Sequence, residues 1–409
     1  MMPPIKKAAP AAVIPEETPA HPLFSRTQGN GKRWSTHGGI LLTGGTGFLG
    51  RELLERLLAH GGSEPIYLLI RGRNNSEAQR RFLSLYNSLG PRCSNSDRKR
   101  IRPLRGNVAL PWLGLDRKQV QDLASRITRI IHLAASINLN ASLEEARSTN
   151  LEGAWEILRL AASCRRLESL AWISTAFVAG DRKGRILEEE LQCGQKFRNA
   201  YEQSKFEAEL LVRSFEALLP ITIFRPSIIV GDSRDGYTCN FSSIYWPLRL
   251  VAEGELRRVP GAPLTPLDLV PVDYVADAIV ELVGRQSSVG LCYQLVAGHR
   301  GTITVRELLN RAIRYFDCRG KPLRFISPCT QTSVRLRVFF DYLDDCKEFD
   351  DSAARAALQD TGLRCPRITG YLERLFAFCE RTNWGEQSGV ERHPFHFRPR
   401  PSGKGVAIC

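Results

Sequence analysis

Tyr201 and Lys205 stand four residues apart in Tyr201-Glu-Gln-Ser-Lys205, within a helical run that continues through Phe206, Leu210, Leu211 and Phe215. One helical turn separates them, so both side chains leave the same face. A lysine ammonium beside a phenol favours the phenolate and draws a pKa of about 10 toward neutrality. Such a pair can exchange a proton with a substrate oxygen. Thr175, at the end of the strand-like run Leu170-Ala-Trp-Ile-Ser-Thr175, adds a hydroxyl that completes two donors to that oxygen. Taken alone, the Tyr-x-x-x-Lys spacing equally describes a surface pair on any long helix. Its weight comes from the elements around it.

Upstream lies a strand, a glycine turn and a helix. Ile40, Leu41 and Leu42 read as a buried strand, Gly44, Gly47 and Gly50 follow, and Leu49, Leu53, Leu54, Leu57 and Leu58 share one helical face. In that order Gly44 permits the turn, Gly47 lets backbone N–H groups approach a pyrophosphate, and Gly50 lets the helix lie against its strand. The helix N-terminus then directs its positive dipole end at phosphate. This is a dinucleotide site. A second buried strand, Ile66-Tyr-Leu-Leu-Ile70, ends in Arg71-Gly-Arg73, where an NAD site would place a carboxylate for the ribose hydroxyl. Arg71 and Arg73 instead suit a 2′-phosphate held by forked, charge-assisted contacts, which favours NADP(H) over NAD(H).

Strand and helix then alternate as a doubly wound parallel sheet requires, so the fold class is α/β. Ile130-Ile-His132-Leu-Ala-Ala135 is another sheet strand whose small Ala134 and Ala135 leave room for a cofactor, and His132 reads as packed or cofactor-adjacent. The basic stretch up to Arg105 reads as a loop or insertion. A helix from about Glu144 to Cys164 contains Asn150. The expected organisation is a disordered, Pro-rich leader at 1–36, a dinucleotide-binding Rossmann domain at 37–235, a mostly α substrate region at 236–382 with segments returning to the sheet, and a disordered basic tail at 383–409. Helical patterns at Val305 to Tyr315 and Thr369 to Cys379 belong to the substrate region, with Ser242-Ser-Ile-Tyr-Trp-Pro247 as a cover over the nicotinamide or as core.

With 409 residues, 43% apolar and 24% charged, the composition is that of a globular protein and excludes fibrous or disorder-dominated readings. No apolar stretch is long enough to span a bilayer. The leader lacks the apolar core of a secretory signal, while a transit role stays open. Eleven cysteines, an odd number with no C-x-x-C pair, fit free thiols in a reducing compartment, so a cytoplasmic location is expected. The histidines form no metal-ligand spacing, and no metal is expected. A net charge of +14 suits solubility, an acidic partner or a phosphorylated substrate. The absence of a binding module or interleaved aromatics argues against nucleic acid. A homodimer is left open.

These pieces occur together with Arg225-Pro-Ser-Ile-Ile-Val-Gly-Asp232 and Leu269-Val-Pro-Val-Asp-Tyr-Val-Ala-Asp277. At that point the chain resembles the extended short-chain dehydrogenase/reductase superfamily over residues 39–298. Within it, Thr43-Gly-Gly-Thr-Gly-Phe-Leu-Gly50, Arg71 with Arg73, His132 to Ala135, Ser174 to Gly180 and Tyr201 to Lys205 are most similar to fatty acyl-CoA reductases and to thioester reductase domains. The resemblance implies that Tyr201 donates the proton, that Lys205 tunes it and holds the nicotinamide ribose, and that Thr175 polarises the substrate carbonyl. It implies cofactor contacts from Thr43, Gly44, Gly45, Thr46, Gly47, Phe48, Leu49 and Gly50. Further contacts would come from Arg71 and Arg73, from Ala134 and Ala135, and from Asn150, Ser174, Pro226 and Ile228. Two positions depart from the family pattern: Asn107 stands where an aspartate is common, which puts the adenine contact there in doubt, and Ala154 ends the Asn150-Leu-Glu-Gly-Ala154 element.

The expected activity is NADPH-dependent reduction of an acyl thioester, carried on CoA or on an acidic acyl carrier protein, to an aldehyde, with a second reduction to the alcohol left open. Other reactions of the superfamily, ketone or sterol-type carbonyl reduction and nucleotide-sugar epimerisation, stay open. So does a non-catalytic NADP-sensing role, although such proteins tend to lose the tyrosine or lysine kept here.

Overall fold

The computed structural model describes residues 38–386 apart from 61, 90–92, 257, 318–322, 327–341 and 343–345. The leader expected at 1–36, and all of the expected tail beyond residue 386, lie outside these residues.

Seven strands form one parallel sheet: β1 (Gly39–Thr43), β2 (Ile66–Ile70), β3 (Ile101–Arg105), β4 (Ile127–His132), β5 (Ser169–Ile173), β6 (Ile221–Pro226) and β7 (Cys292–Leu295). Their order is β7-β6-β5-β4-β1-β2-β3. Sheets of this kind are covered on both faces, which is why β1 and β5 are buried at every residue and read as continuous apolar runs. One face packs on α1 (Phe48–Ala59), α2 (Asn75–Ser88) and a returning helix, residues 272–283, through Leu53, Leu85 and Ile279. The other packs on α3 (Arg117–Arg126), α4 (Leu143–Ser163) and α5 (Ala200–Arg213) through Leu123, Ile157 and Val212.

The strand order reverses between β1 and β4. The chain leaves β1 toward β2 on one side and leaves β4 toward β5 on the other, so a crevice opens where the two loops diverge. In-register pairing sets Thr43 beside His132 and His132 beside Trp172 at the carboxyl ends of β1, β4 and β5.

β3 corrects the reading of this region as a loop. Ile101 is buried while Arg102, Pro103 and Arg105 face outward. On an edge strand, proline and charge blunt further pairing, and they also give the strand a loop-like composition.

Beyond the sheet, α6 (Tyr245–Ala252), α7 (Val272–Val283), α8 (Val305–Tyr315) and α9 (Leu372–Arg381) continue the chain. α7 returns to α1, where Arg56 Nε donates to Asp277 at 2.5 Å and Arg56 Nη1 to Glu52 at 2.7 Å. The other three share a separate apolar core, including Leu248, Leu308, Leu375 and Phe376.

Candidate active site

The glycine turn is shaped by contacts that no other residue permits. Gly44 has φ +71°, and a Cβ there would sit 2.7 Å from the Ala134 amide nitrogen. A Cβ on Gly50 would lie 2.2 Å from the Gly44 carbonyl oxygen. β1, the loop after β4 and α1 are thereby drawn together at the crevice. Gly47, at the N-terminus of α1, brings no side chain to cap it, and the first turn carries no acidic residue. The amides and dipole of that turn are therefore available to an anion.

A cleft of about 1090 Å³ runs from this turn across the carboxyl ends of the strands. Thr43, Gly44, Thr46, Gly47, Phe48, Leu49 and Gly50 line it, as do Arg71, Asn107, Ala134 and Ala135. Ser174, Thr175, Tyr201, Lys205, Pro226 and Ile228 line the same cleft. Three expected contacts lie elsewhere. Gly45 faces the core, where a Cβ would meet Leu68 at 2.3 Å. Arg73 is exposed and paired with Glu77 at 3.0 Å. Asn150 is buried off the cleft, accepting from the Ser136 amide at 2.7 Å and donating to Ser204 Oγ at 2.9 Å. Through these bonds Asn150 joins α4 to α5 and to the loop after β4.

Arg51 and Arg81 line the cleft as well, and sequence reading passed over both. Arg81 Nη1 donates to the Arg71 carbonyl at 2.9 Å, and Nη2 to Thr46 Oγ1 at 3.3 Å, so it bridges the end of β2 and the glycine turn. The available signal was periodic: from Ala78 and Leu85, the buried residues of α2, position 81 falls on the sheet-facing side.

At the other end of the cleft, Thr175 Oγ1 accepts from the Phe177 amide at 3.3 Å and hydrogen-bonds to Tyr201. Burial raises the phenol above its ordinary value, a hydrogen bond to Thr175 opposes this, and the charge of Glu202 adds to it. This corrects the expectation that Lys205 lowers the phenol: the ammonium is turned to the Ile173 carbonyl, to which Nζ donates at 2.8 Å. Burial also brings Lys205 down to about 8, partly offset by Glu209. Its Nζ lies 5.4 Å from the centre of the Trp172 ring, which stacks on His132 at 4.6 Å. His132 is held at about 3 by burial and by the charge of Lys205, and its Nδ1 is 2.8 Å from Thr43 Oγ1. It is a neutral, packed histidine.

Ser174 borders the cleft, but its hydroxyl donates to Glu209 at 2.6 Å. Glu209 in turn takes Arg225 Nη2 at 2.5 Å with both residues buried. Arg225, from the Arg-Pro-Ser element, thus anchors the end of β6 to the helix that carries Tyr201. A bidentate pair of this kind is costly to break on one side, on the order of 3–5 kcal/mol.

The residues present fit a dinucleotide phosphate: an uncapped helix terminus, a backbone cradle that a Cβ would fill, and three arginines. Among the described residues no group of three or more His, Cys, Asp or Glu is placed to hold a metal ion, and no helix is long and apolar enough to cross a membrane.

Residues 42–279 match the family described as Male sterility protein, a family of NAD(P)-binding domains. The chain is 26% identical over 313 residues to the fatty acyl-CoA reductase wat of Drosophila melanogaster, covering 68% of this chain and 60% of that protein. It is 30% identical over 270 residues to the non-canonical nonribosomal peptide synthetase cpsA of Aspergillus campestris, covering 63% of this chain and 26% of that one. The chain therefore spans less than two thirds of either relative. Among solved structures it is similar to the terminal R domain of the myxalamid PKS-NRPS biosynthetic pathway, with a TM-score of 0.73, 31% identity, and coverage of 86% of this chain and 92% of that one. With the family match spanning the glycine turn, Thr175, Tyr201 and the return to α1, the chain belongs to the Male sterility protein family and has the Rossmann-like fold of the extended short-chain dehydrogenases.

Proposed function

We propose that the protein reduces an acyl thioester to an aldehyde with NADPH. The observation that carries this reading is the convergence of Thr175, Tyr201 and Lys205 with the glycine turn on one cleft, in a chain 31% identical to the terminal R domain of the myxalamid PKS-NRPS pathway. When bound, NADPH supplies hydride to the thioester carbonyl carbon. Thr175 and Tyr201 hold the carbonyl oxygen and stabilise the charge that develops there. Because burial keeps the phenol protonated at neutral pH, Tyr201 acts as donor to that oxygen. Collapse of the hemithioacetal then releases aldehyde and thiol. Lys205, which lines the cleft one helical turn from Tyr201, would hold the nicotinamide ribose.

The test follows NADPH oxidation with an acyl-CoA, an acyl carrier protein, a ketone and a nucleotide sugar. Aldehyde and free thiol are expected in equal amounts with either thioester. Turnover of the ketone or sugar with no thioester turnover overturns the reading.

Preference for NADPH over NADH rests on Arg71 and Arg81, with Arg51 beside them. Removing a charge-assisted contact costs about 1.5–3 kcal/mol. Arg81→Ala is therefore expected to raise the KM for NADPH about 10–100-fold and to leave that for NADH nearly as it was. Equal losses with both cofactors would assign Arg81 to holding the turn, not to reading the phosphate.

A further inference from the structure

We propose that residues 137–140, at the open rim of the cleft, form the subsite for the pantetheine arm of the thioester. This rests on the reading above and adds a direction to it, because the two ends of the cleft differ in kind.

At one end Leu248, Leu256, Val259 and Leu308 are buried, and among the described residues no charged side chain lines the cleft there. CoA and carrier proteins both bear charged groups, whose burial without partners is prohibitive. The acyl group must occupy that end, and the thiol arm must leave across an exposed edge. Ile137 meets this requirement. It lines the cleft yet is 61% exposed, and Leu139 and Asn140 line the cleft beside it. A single exposed isoleucine is ordinary on a protein surface, but one placed on the wall of a binding cleft offers apolar area to a ligand.

The rim is also fixed relative to the proton donor. Ser136 donates its amide to Asn150 and accepts from it at 3.1 Å, Asn150 donates to Ser204 Oγ, and Ser204 Oγ donates to the Tyr201 carbonyl at 3.1 Å. Within the loop, Asn138 Oδ1 accepts from the Asn140 amide at 3.1 Å, which shapes the turn and leaves the Asn138 NH2 directed away from it. Pantetheine carries two secondary amides, and a hydroxyl at its pantoyl end, separated by short apolar methylene segments. Side-chain amides interleaved with Ile137 and Leu139 match that alternation, whether the arm comes from CoA or from a carrier protein.

The experiment compares wild type with Ile137→Ser and with Asn138→Ala/Asn140→Ala. Substrates are one acyl group carried on CoA, on a carrier protein, on pantetheine, and on N-acetylcysteamine, which lacks most of the arm. Each variant is expected to raise the KM for the pantetheine, CoA and carrier thioesters about tenfold and to shrink the advantage of these substrates over the truncated one. The Kd for NADPH reports whether the fold is kept. The wild-type ratio of carrier to CoA turnover identifies the natural source of the arm. Equal KM increases for full and truncated thioesters overturn the proposal, as does an increase confined to acyl-CoA. Wild-type protein inactive on every thioester overturns the reaction and the subsite together, whereas active protein with unaltered KM in both variants overturns the subsite alone.

Discussion

Tyr201→Phe lowers kcat by about 10²–10⁴-fold and leaves the Kd for NADPH close to that of wild type. The substitution keeps the ring and its packing on α5, so the loss isolates the hydroxyl. That hydroxyl has two roles in the cleft: it hydrogen-bonds with Thr175, and it is the group raised by burial to stay protonated at neutral pH. A phenylalanine leaves Thr175 as the remaining donor to the substrate oxygen, and one donor of a pair is worth about 10²–10³ in rate. Single-turnover measurement of NADPH oxidation separates this from any change in product release. Unaltered turnover would assign the proton to another group. Thr175→Val, which keeps the shape but not the hydroxyl, should lose less, because its backbone and strand-end position remain.

The pH behaviour of wild type supplies a second check on the same side chain. Burial holds the phenol above its ordinary value, so Tyr201 stays protonated at neutral pH. An alkaline limb in kcat/KM near pH 8 is then expected from Lys205, which burial brings into that range.

Much of this site was legible in the sequence because its parts are local. The glycine turn, the apolar strands β1, β2 and β5 and the Tyr-x-x-x-Lys helix each show their structure within a dozen residues, since a parallel strand buried on both faces has to be apolar throughout. The convergence of Thr175, Tyr201 and Lys205 on one cleft then follows from the alternation of strand and helix. What was hidden depends on distances across the chain. Arg81 reaches Thr46 from 35 residues away, and although the helical period turns it toward the sheet, that period does not show that it meets the glycine turn. Asn150 was expected at the cofactor only through the family resemblance, and its three hydrogen bonds, to Ser136 and Ser204, join segments that are 14 and 54 residues from it. β3 was lost to its own edge chemistry. The sign of the shift at Tyr201 depends on how deeply the phenol is covered and on where the Lys205 ammonium points, neither of which spacing alone contains.

Lys205→Met is expected to abolish turnover and at the same time to make the protein more stable at pH 7. Lys205 is 3% exposed, and burial brings its pKa from 10.5 to about 8. At about 1.4 kcal/mol per pKa unit, holding the charged form in the folded protein costs on the order of 3 kcal/mol. The sign follows from proton counts. Below pH 8 the lysine is charged in both states, and the folded protein bears the full cost. Between about 8 and 10.5 the folded state has released its proton while the unfolded state keeps it, so wild-type stability from this group rises with pH. Above 10.5 the cost is gone. Methionine fills a similar volume without charge and removes the cost at every pH, but it forfeits the bond to the Ile173 carbonyl, worth about 1 kcal/mol. The variant should therefore gain about 1–3 kcal/mol at pH 7, and its advantage should shrink by pH 10. Urea unfolding of both proteins at the two pH values measures this directly. A variant less stable than wild type at pH 7, or a difference that does not change with pH, would mean that the Ile173 bond and the Trp172 face compensate the ammonium fully. Loss of activity with a gain in stability would instead mark Lys205 as a charge kept in the core against the preference of the fold, for what it does beside Tyr201.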